Sequence, residues 1–355
     1  MSDALPFRGE YKVPGGKLVR VEGETVGGQV ALASVSGDFF LEPDDALGDL
    51  DGALAGAPTD ASVGVLVGRL DAALRAGARL TGFSTRDVAV AVRRALGAGT
   101  TWDDLTFDVI PAKVLPPAMH VALDEVIADE VSAGRRRPTL RLWDWDAGVV
   151  VIGSFQSVRN EVDAEAAERY GIGVVRRVTG GGAMFMEPGN CITYSVVVPG
   201  SLVEGLSYEA SYAFLDQWVL GALASVGVRA HFVPLNDIAS SVGKIGGAAQ
   251  RRLADGTVLH HVTLSYDIDA EKMTQVLRIG REKLSDKGIQ SAVKRVDPMR
   301  SQTGLPRETI MEAFLAHFES LYRSQRSDYT ADELAQAEAL VAAKFGAPAW
   351  TNRVP

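Results

Sequence analysis

Apolar and polar positions follow a strand-like and then a helical pattern in the first part of the chain. Residues 17–41 contain three apolar runs separated by glycine-rich turns, which predicts short strands. Residues 43–54, residues 61–76 and the segment after Ser84 carry apolar side chains on one face, which predicts three helices. Because a glycine-rich stretch ending at Gly99 then breaks the pattern, residues 1–100 are predicted to form a small α+β domain, and residues 1–10 are expected to fray.

Longer apolar stretches characterise the rest of the chain. Strands and helices come there in blocks rather than in strict alternation, which favours an α+β fold with a mixed sheet. The predicted elements are a strand over 106–110, a helix over 117–132, a hairpin of 140–145 and 148–153, a helix over 161–170, a half-buried strand over 191–198, one long helix over about 207–226, strands near 230–239, 243–253 and 257–266, and mainly helices after Asp269.

Composition narrows the class of protein. The 355 residues are enough for about two domains, and the 46% apolar and 23% charged fractions are typical of soluble globular proteins. The net charge of −9 argues against a general nucleic-acid binder, which needs a basic surface. The chain lacks both an apolar secretory signal at its start and an apolar run near the roughly 18 residues of a membrane span, so a cytoplasmic protein is expected. The one cysteine excludes an internal disulfide and a multi-cysteine zinc site.

The densest glycine cluster lies in RRVTGGGA, residues 176–183, directly after a strand-like run. Consecutive glycines leave backbone N–H groups unobstructed, so such a loop can wrap an anion, and Arg176 and Arg177 add positive charge. For the glycines alone, a flexible turn is the alternative. The cluster lacks the third glycine of G-x-G-x-x-G, and neither Lys17 nor Lys244 is followed by Ser or Thr. A Rossmann site and a Walker A loop are therefore not predicted.

A second glycine-rich cluster, GKIGGAAQR at 243–251, follows the tripeptide NDI at 236–238. Lys244 could neutralise charge that develops in acyl or phosphoryl transfer, while a solvated lysine in a hairpin is the alternative. Because His260 and His261 are neighbours on a predicted strand, they point to opposite faces, and we reject a zinc site. Cys191 has no evident activating base, and a lone buried cysteine usually acts as a small apolar residue.

Taken together, these motifs resemble the lipoate–protein ligase A family of the biotin/lipoate protein ligase superfamily. The resemblance rests on RRVTGGGAMF, Gly189-Asn190, NDI, GKIGGAAQRR and LHHVTL in the family's order, and it covers about residues 101–355. It implies a mixed-sheet biotin/lipoate ligase-like catalytic domain over 101–355. Residues 1–100 are similar to the family's small α+β accessory domain, chiefly through YKVPGGKLV at 11–19, although that domain is C-terminal in the commonest single-chain arrangement.

The resemblance also implies a reaction. ATP and lipoate would form lipoyl-adenylate and pyrophosphate with Mg²⁺, and the acyl group would then move to a lysine of an apo lipoyl-carrier domain. Such carriers are 2-oxoacid dehydrogenase acyltransferase subunits and the glycine cleavage H protein. Lys244 matches the family's essential lysine, and Asp237 lies in the stretch near the nucleotide and the metal. The other residues implied in the substrate and ATP site are Arg176, Arg177, Thr179, Gly180, Gly181, Gly182, Ala183, Asn190, Asn236, Gly247, Ala248, His261 and Thr263.

Two departures from the family pattern keep alternatives open. Met186-Glu187 stand where the family usually has His-Asp, and Val262-Thr263 stand where Gly-Thr follows the two histidines. The fold also includes octanoyltransferases, which use a cysteine thioester instead of ATP, and Cys191 does not clearly match their nucleophile. The alternatives are thus an octanoyl or lipoyl transferase without ATP, and a non-catalytic module that binds lipoate or its carrier. The net charge of −9 would repel an acidic carrier unless a basic patch near Arg176, Arg177, Arg251 and Arg252 offsets it.

Overall fold

The chain divides into two compact units in a computed structural model. The first unit comprises Met1–Leu105 and Gly200–Phe214, and the second comprises Thr106–Pro199 and Leu215–Pro355. Gly99 at the predicted boundary, and Pro14 and Gly15 of the YKVPGGKLV motif, lie outside the described residues. The structure describes residues 4–13, 16–61, 63–98, 100, 102–204, 206–278 and 296–355.

Residues 200–214, which the sequence placed in the second part, pack with the first unit. The Thr100 amide donates to the Ser201 carbonyl at 3.0 Å. The Arg94 guanidinium donates to the Leu202 carbonyl at 3.1 Å and lies 4.6 Å from the centre of the Phe214 ring. Contacts between residues about 100 positions apart thus set the composition of this unit, and a local sequence pattern does not show them.

The first unit contains an antiparallel sheet covered by helices. Residues 1–10 were expected to fray, but β1 (Leu5–Lys12) pairs with β2 (Leu18–Val26) along its whole length, because Phe7 and Tyr11 are buried in the core. Ser84 caps the third helix in a reciprocal capping box with Asp87, as its position predicts. The other elements are β3 (Gln29–Gly37), β4 (Phe40–Glu42), α1 (Leu47–Leu54), α2 (Val63–Ala73), β5 (Arg79–Thr81) and α3 (Thr85–Arg93).

The second unit contains a mixed sheet and a smaller sheet, which confirms the predicted fold class. Within the described residues the large sheet has the strand order β12-β13-β14-β15-β11-β7-β6-β16, and the smaller one has the order β10-β8-β9. Among the described strands of the large sheet, β6 pairs in parallel with β7 and with β16, and the other strand pairs are antiparallel. The strands are β6 (Phe107–Leu115), β7 (Thr139–Trp145), β8 (Val149–Ile152), β9 (Gly173–Arg176), β10 (Met184–Met186), β11 (Cys191–Val198), β12 (His231–Val233), β13 (Asp237–Ala239), β14 (Lys244–Arg252), β15 (Val258–Ser265) and β16 (Ser324–Arg326).

Helices cover the sheets of the second unit. α4 has the predicted bounds and packs its apolar residues into the main core against β11 and β15. The helices of this unit are α4 (Pro117–Ser132), α5 (Val158–Glu161), α6 (Ala164–Tyr170), α8 (Gln217–Ser225), α9 (Ala270–Val276), α10 (Met299–Thr303), α11 (Arg307–Leu321), α12 (Ala331–Leu340) and α13 (Pro348–Thr351). The remaining helix, α7 (Tyr208–Leu215), belongs to the first unit except for its last residue. In the part of the chain described here, no helix is both long and apolar enough to cross a membrane.

Three predictions about these elements were wrong. β7 and β8 do not form a hairpin, because β7 pairs with β6 and β11 whereas β8 pairs with β9 and β10. β11 is buried at all eight positions instead of on one face, since it lies between β7 and β15 at the centre of the large sheet. The long helix is interrupted at Asp216, whose buried carboxylate accepts hydrogen bonds from Tyr194 and His260.

Candidate active site

A narrow cavity of about 120 Å³ lies between the two sheets of the second unit. Typical small-molecule sites span roughly 300–1,000 Å³, so this cavity suits a slender group. Its wall brings together the two glycine-rich segments that the sequence singled out. The lining residues are Trp143, Val151, Arg177, Gly182, Ala183, Met184, Met186, Thr193, Asn236, Asp237, Lys244, Gly247, Ala248, Ala249, His261 and Thr263.

A second, more open cavity of about 1020 Å³ adjoins the first and shares part of its wall. Its volume is enough for a nucleotide-sized ligand. Lys244 and Asp237 therefore lie at the junction of a slender and a wide cavity, where a chain-like acid and a larger group could meet. The shared residues are Gly182, Ala183, Met184, Asp237, Lys244 and Thr263.

Lys244 and Asp237 form an ion pair at this junction, with 2.8 Å between Nζ and Oδ1. Asp237 stands opposite Gly247 in the pairing of β13 with β14, and a Cβ at Gly247 would lie 3.2 Å from the lysine Nζ. The glycine therefore leaves room for the pair. Asn236 holds β14 in register, because its side-chain amide donates to the Ala248 carbonyl and its own carbonyl accepts from the Ala248 amide.

The glycine loop, residues 179–182, is held by Arg177. The Arg177 guanidinium is buried and donates to the carbonyl groups of Gly180 and Gly182 at 2.6 and 2.9 Å. A Cβ at Gly153 would lie 2.2 Å from the Gly181 carbonyl oxygen, so only glycine permits this approach of the loop at 153–156. Arg177 thus shapes the loop from within as well as lining the cavity.

A buried hydrogen-bond chain connects Arg177 to α4. Arg177 Nε donates to Thr179 Oγ1, which lies 2.8 Å from His261 Nε2, and His261 Nδ1 lies 2.7 Å from Asp124 Oδ2. The Asp124 carboxylate also accepts from Arg141 at 2.7 Å. Burial alone raises the pKa of Asp124, but the Arg141 charge and the His261 hydrogen bond hold that pKa below its usual range.

These contacts define the protonation state of His261. Burial lowers the pKa of its imidazole below the ordinary value, and the Asp124 hydrogen bond and charge do not offset this. In the neutral ring, Nδ1–H donates to Asp124 and Nε2 accepts the Thr179 hydroxyl proton, which leaves Thr179 Oγ1 as the acceptor for Arg177. Every step of the chain therefore has one donor and one acceptor.

The slender cavity has a mainly apolar wall with two threonine hydroxyls. The hydroxyl oxygens of Thr193 and Thr263 lie 3.1 Å apart, and each lies 3.8 Å from the thioether sulfur of Met186. Trp143 forms another part of the wall, and its indole N–H donates to Ser195 Oγ at 2.8 Å. Met186 thus contributes a polarizable apolar surface to the cavity.

Several implied site residues lie behind the cavity wall. Thr179 acts through the hydrogen-bond chain, and Gly180 and Gly181 carry the turn of the loop. The Asn190 side-chain oxygen accepts from the Glu187 amide at 2.9 Å, which stabilises the turn before β11. Arg176 is fully buried, and its guanidinium donates to main-chain carbonyl groups.

The four arginines named as a possible basic patch do not form one, because two of them are not on the surface. Arg176 and Arg177 are 0% and 5% exposed, so they add no positive charge for a protein partner to contact. Arg251 is exposed and Arg252 is half-buried on β14.

Cys191 is sequestered at the start of β11. Its side chain is 0% exposed, its Sγ lies 3.8 Å from Thr193 Oγ1, and it belongs to the wall of neither cavity. Burial raises the pKa of its thiol to about 11, despite the lowering by the Thr193 hydrogen bond and the Arg307 charge. A thiol with this environment is a poor nucleophile, because the thiolate is the reactive form.

Comparison with known proteins places this site in a family. The family described as lipoyl protein ligase A/B catalytic domain matches residues 116–319, which include both glycine-rich segments. The chain belongs to this family. It is thus an enzyme of the lipoate ligase and transferase group, which confirms the resemblance drawn from the motifs.

Relatives in the lipoyl protein ligase A/B family have two kinds of activity. An octanoyltransferase (LipM) of Geobacillus kaustophilus is 31% identical over 66% of this chain and 94% of its own length. A probable lipoate-protein ligase A of Mycoplasma pneumoniae is 33% identical over 51% of each chain. A bi-partite lipoate protein ligase of Thermoplasma acidophilum, described together with its E2 lipoyl domain as an archaeal lipoylation system, has a TM-score of 0.63 and 25% identity over 70% of this chain and 98% of that one. A lipoate-protein ligase A bound with ATP has a TM-score of 0.62 and 22% identity, and it supports the fold.

Sequence analysis did not identify some residues of this site. Asp124 lies in the predicted helix over 117–132, and its role depends on partners 71 and 137 residues away, Ser195 and His261. The local signal is an acidic residue among the mainly apolar buried positions of α4, which also include His120 and Glu130. Thr193 and Met184 lie on strands, where no pattern separates cavity wall from core.

Proposed function

We propose that the protein is an ATP-dependent lipoate–protein ligase. Curated relatives include both octanoyltransferases and ligases, so similarity alone leaves the acyl donor open. The observation that carries the proposal is the state of Cys191. A transferase of this fold needs a cysteine that forms a thioester, and the chain's one cysteine is fully buried with a raised thiol pKa.

The two adjoining cavities support a reaction of an acid with a nucleotide. The acid carboxylate would attack the α-phosphorus of ATP, forming the acyl–phosphate bond of an adenylate and releasing pyrophosphate. The amine of a carrier lysine would then attack the acyl carbon, forming an amide and releasing AMP. The acyl chain would occupy the narrow cavity and the nucleotide the wide one, with Lys244 between them.

Lys244 is suited to stabilise both steps. Its ammonium group lies at the junction, where negative charge develops first on the phosphate and then on the acyl oxygen. Asp237 holds the ammonium at 2.8 Å, which orients it toward the cavities before substrate binds. The neutral His261, which lines the narrow cavity, and Thr179 behind the wall hold Arg177 and the glycine loop.

Asp237 is also the residue that we propose for the magnesium ion. Among the described residues, no three His, Cys, Asp or Glu side chains are grouped to hold a metal. One carboxylate fits Mg²⁺ bound mainly by nucleotide phosphates, which is its common mode with such substrates. When bound, the ion would neutralise phosphate charge, while Asp237 and Lys244 keep the phosphates oriented.

The proposal also covers the acyl acceptor and the role of the first unit. The Thermoplasma acidophilum ligase is described together with its E2 lipoyl domain as one lipoylation system, so we propose an apo lipoyl domain as the acyl acceptor. We also propose that residues 1–100 act as an accessory domain, for which the YKVPGGKLV resemblance is the support. Residues 200–214 would belong to the same domain.

One experiment tests both the acyl donor and the role of Cys191. Full-length protein is incubated with an apo lipoyl domain and either lipoate, ATP and Mg²⁺ or an octanoyl-acyl carrier protein without ATP, and the carrier is weighed by mass spectrometry. The Cys191→Ala variant serves as the matched control. We expect an ATP-dependent mass gain with both proteins. Transfer from the acyl carrier protein that is lost in Cys191→Ala would instead establish the octanoyltransferase.

A further inference from the structure

Residues 344–353, here called the brace segment, lie beyond the residues that the family matches and contact the loop at 153–156. Arg353 Nη2 donates to the Ser154 carbonyl at 2.7 Å and to the Ser154 hydroxyl at 2.5 Å. The Arg353 guanidinium also lies over the Trp350 ring, with 4.0 Å between its carbon and the ring centre. One exposed arginine thus joins an aromatic anchor of the brace segment to the loop.

Arg176 ties the same two segments together from inside the protein. Its guanidinium donates to the Gln156 carbonyl at 2.6 Å on the loop side and to the Thr351 carbonyl at 2.6 Å on the brace side. The Trp350 indole N–H donates back to the Arg176 carbonyl at 2.9 Å. A buried guanidinium with bonds to carbonyl groups of two segments acts as a cross-link, because each lost bond would leave buried polar groups unsatisfied.

The loop at 153–156 in turn touches the glycine loop. The Ser154 amide donates to the Thr179 carbonyl at 2.8 Å, and the close approach of Gly153 to Gly181 leaves no room for a side chain. A displacement of the loop at 153–156 must therefore displace the glycine loop. Gly182 at the end of that loop lines both cavities.

We propose that the brace segment is a positioning element of the acyl-binding site. Arg353 and Trp350 hold the loop at 153–156, and that loop holds the glycine loop against the cavities. Neither residue is among the described residues that line a cavity, so both act through other groups. The consequence for substrate rests on the proposed function, whereas the hold on the two loops does not.

Hydrogen exchange tests the hold without any need for activity. Arg353→Ala removes both bonds to Ser154, and Trp350→Phe removes the bond to Arg176 while keeping an aromatic ring. The loss of these two bonds is expected to speed exchange of the Ser154 amide at least about tenfold in the Arg353→Ala full chain. Arg353→Lys should restore part of the protection, because it keeps a cation and a donor. The control is Arg326→Ala, since Arg326 is exposed and pairs with Glu312 and Glu319 instead.

Kinetics test the consequence for substrate. With lipoate and ATP, Arg353→Ala should raise KM for lipoate about tenfold and change kcat little, because a loop displaced in the free enzyme weakens substrate binding. Unchanged exchange at residues 153–156 and 179–182 in both Arg353→Ala and Trp350→Phe overturns the proposal, and so does a lower kcat at unchanged KM. Faster exchange in a protein that shows no ATP-dependent turnover would refute the proposed function and leave the brace supported.

Discussion

Replacing Thr179 by valine should uncouple Arg177 from His261 while preserving the shape of the side chain. The Thr179 hydroxyl is 0% exposed, lies 2.8 Å from Arg177 Nε and lies 2.8 Å from His261 Nε2. The substitution removes one acceptor and one donor at the centre of the hydrogen-bond chain. Thr179→Ser keeps the hydroxyl and removes only a methyl group, so it is the matched control.

The expected effect of Thr179→Val follows from the two hydrogen bonds that the hydroxyl makes. Each buried polar group that loses its partner costs about 1–3 kcal/mol, and partial relaxation leaves a loss of about 2–4 kcal/mol in the free energy of unfolding of Thr179→Val. The serine variant should lose about 1 kcal/mol through its missing methyl group. Because Arg177 also holds Gly180 and Gly182, the valine variant should raise KM for the acid about tenfold, which is 1.4 kcal/mol of binding free energy.

Urea unfolding followed by tryptophan fluorescence measures the stability of both variants, and pyrophosphate release at varied lipoate concentration measures KM. The reasoning is refuted by a valine variant that matches the original protein in both quantities. It is also refuted by a serine variant as impaired as the valine variant, since the hydroxyl would then be irrelevant.

Three further predictions concern charge and ionisation. Lys244→Ala should lower the rate of pyrophosphate release at least about a hundredfold with an unchanged urea midpoint, because the half-exposed ammonium stabilises transition-state charge; near-normal release would contradict this. At pH 8, native Cys191 should react with a thiol reagent about a hundredfold more slowly than in urea. Because burial raises the pKa of the folded thiol to about 11, the unfolded thiol ionises first, and stability should fall by about 2 kcal/mol between pH 9 and 11; Cys191→Ala should lack this part of the fall. Asp124→Asn should lose about 3–5 kcal/mol of unfolding free energy, because buried Arg141 loses its charge partner. The pKa of Asp124 is lowered in the folded state. Its carboxylate therefore adds to the free energy of unfolding above the unfolded pKa, and this contribution disappears as the pH falls through the folded pKa. In acid, the free energy of unfolding of Asp124→Asn should consequently depend less steeply on pH.

Local patterns in the sequence predicted what depends on neighbouring residues. The helix over 117–132 has the predicted bounds, and Ser84 caps α3, because helix ends and amphipathic faces are encoded within a few residues. The two glycine-rich segments were expected to face one ligand, and Gly182 and Lys244 do line the same cavities. The unusual composition of these segments, and not the spacing of their residues, indicated the ligand site.

The features that could not be predicted depend on pairing between residues that are far apart in the sequence. The apolar runs of β7 and β8 look alike in sequence, and only their distant partners assign them to different sheets. Arg176 and Arg177 are neighbours, yet one joins the brace segment and the other the glycine loop, because adjacent side chains near a strand end point to opposite sides. Which of the two faced the cavity was therefore not predictable from the motif.

The burial of Cys191 also has a practical consequence. Because the chain's one thiol is inaccessible, the native protein behaves toward surface labelling as though it contained no cysteine. Phe155 is 81% exposed and adjoins the glycine loop at Gly180. A cysteine introduced at Phe155 would therefore accept a fluorophore at one chosen position, and its emission would follow ligand binding in an otherwise unaltered protein.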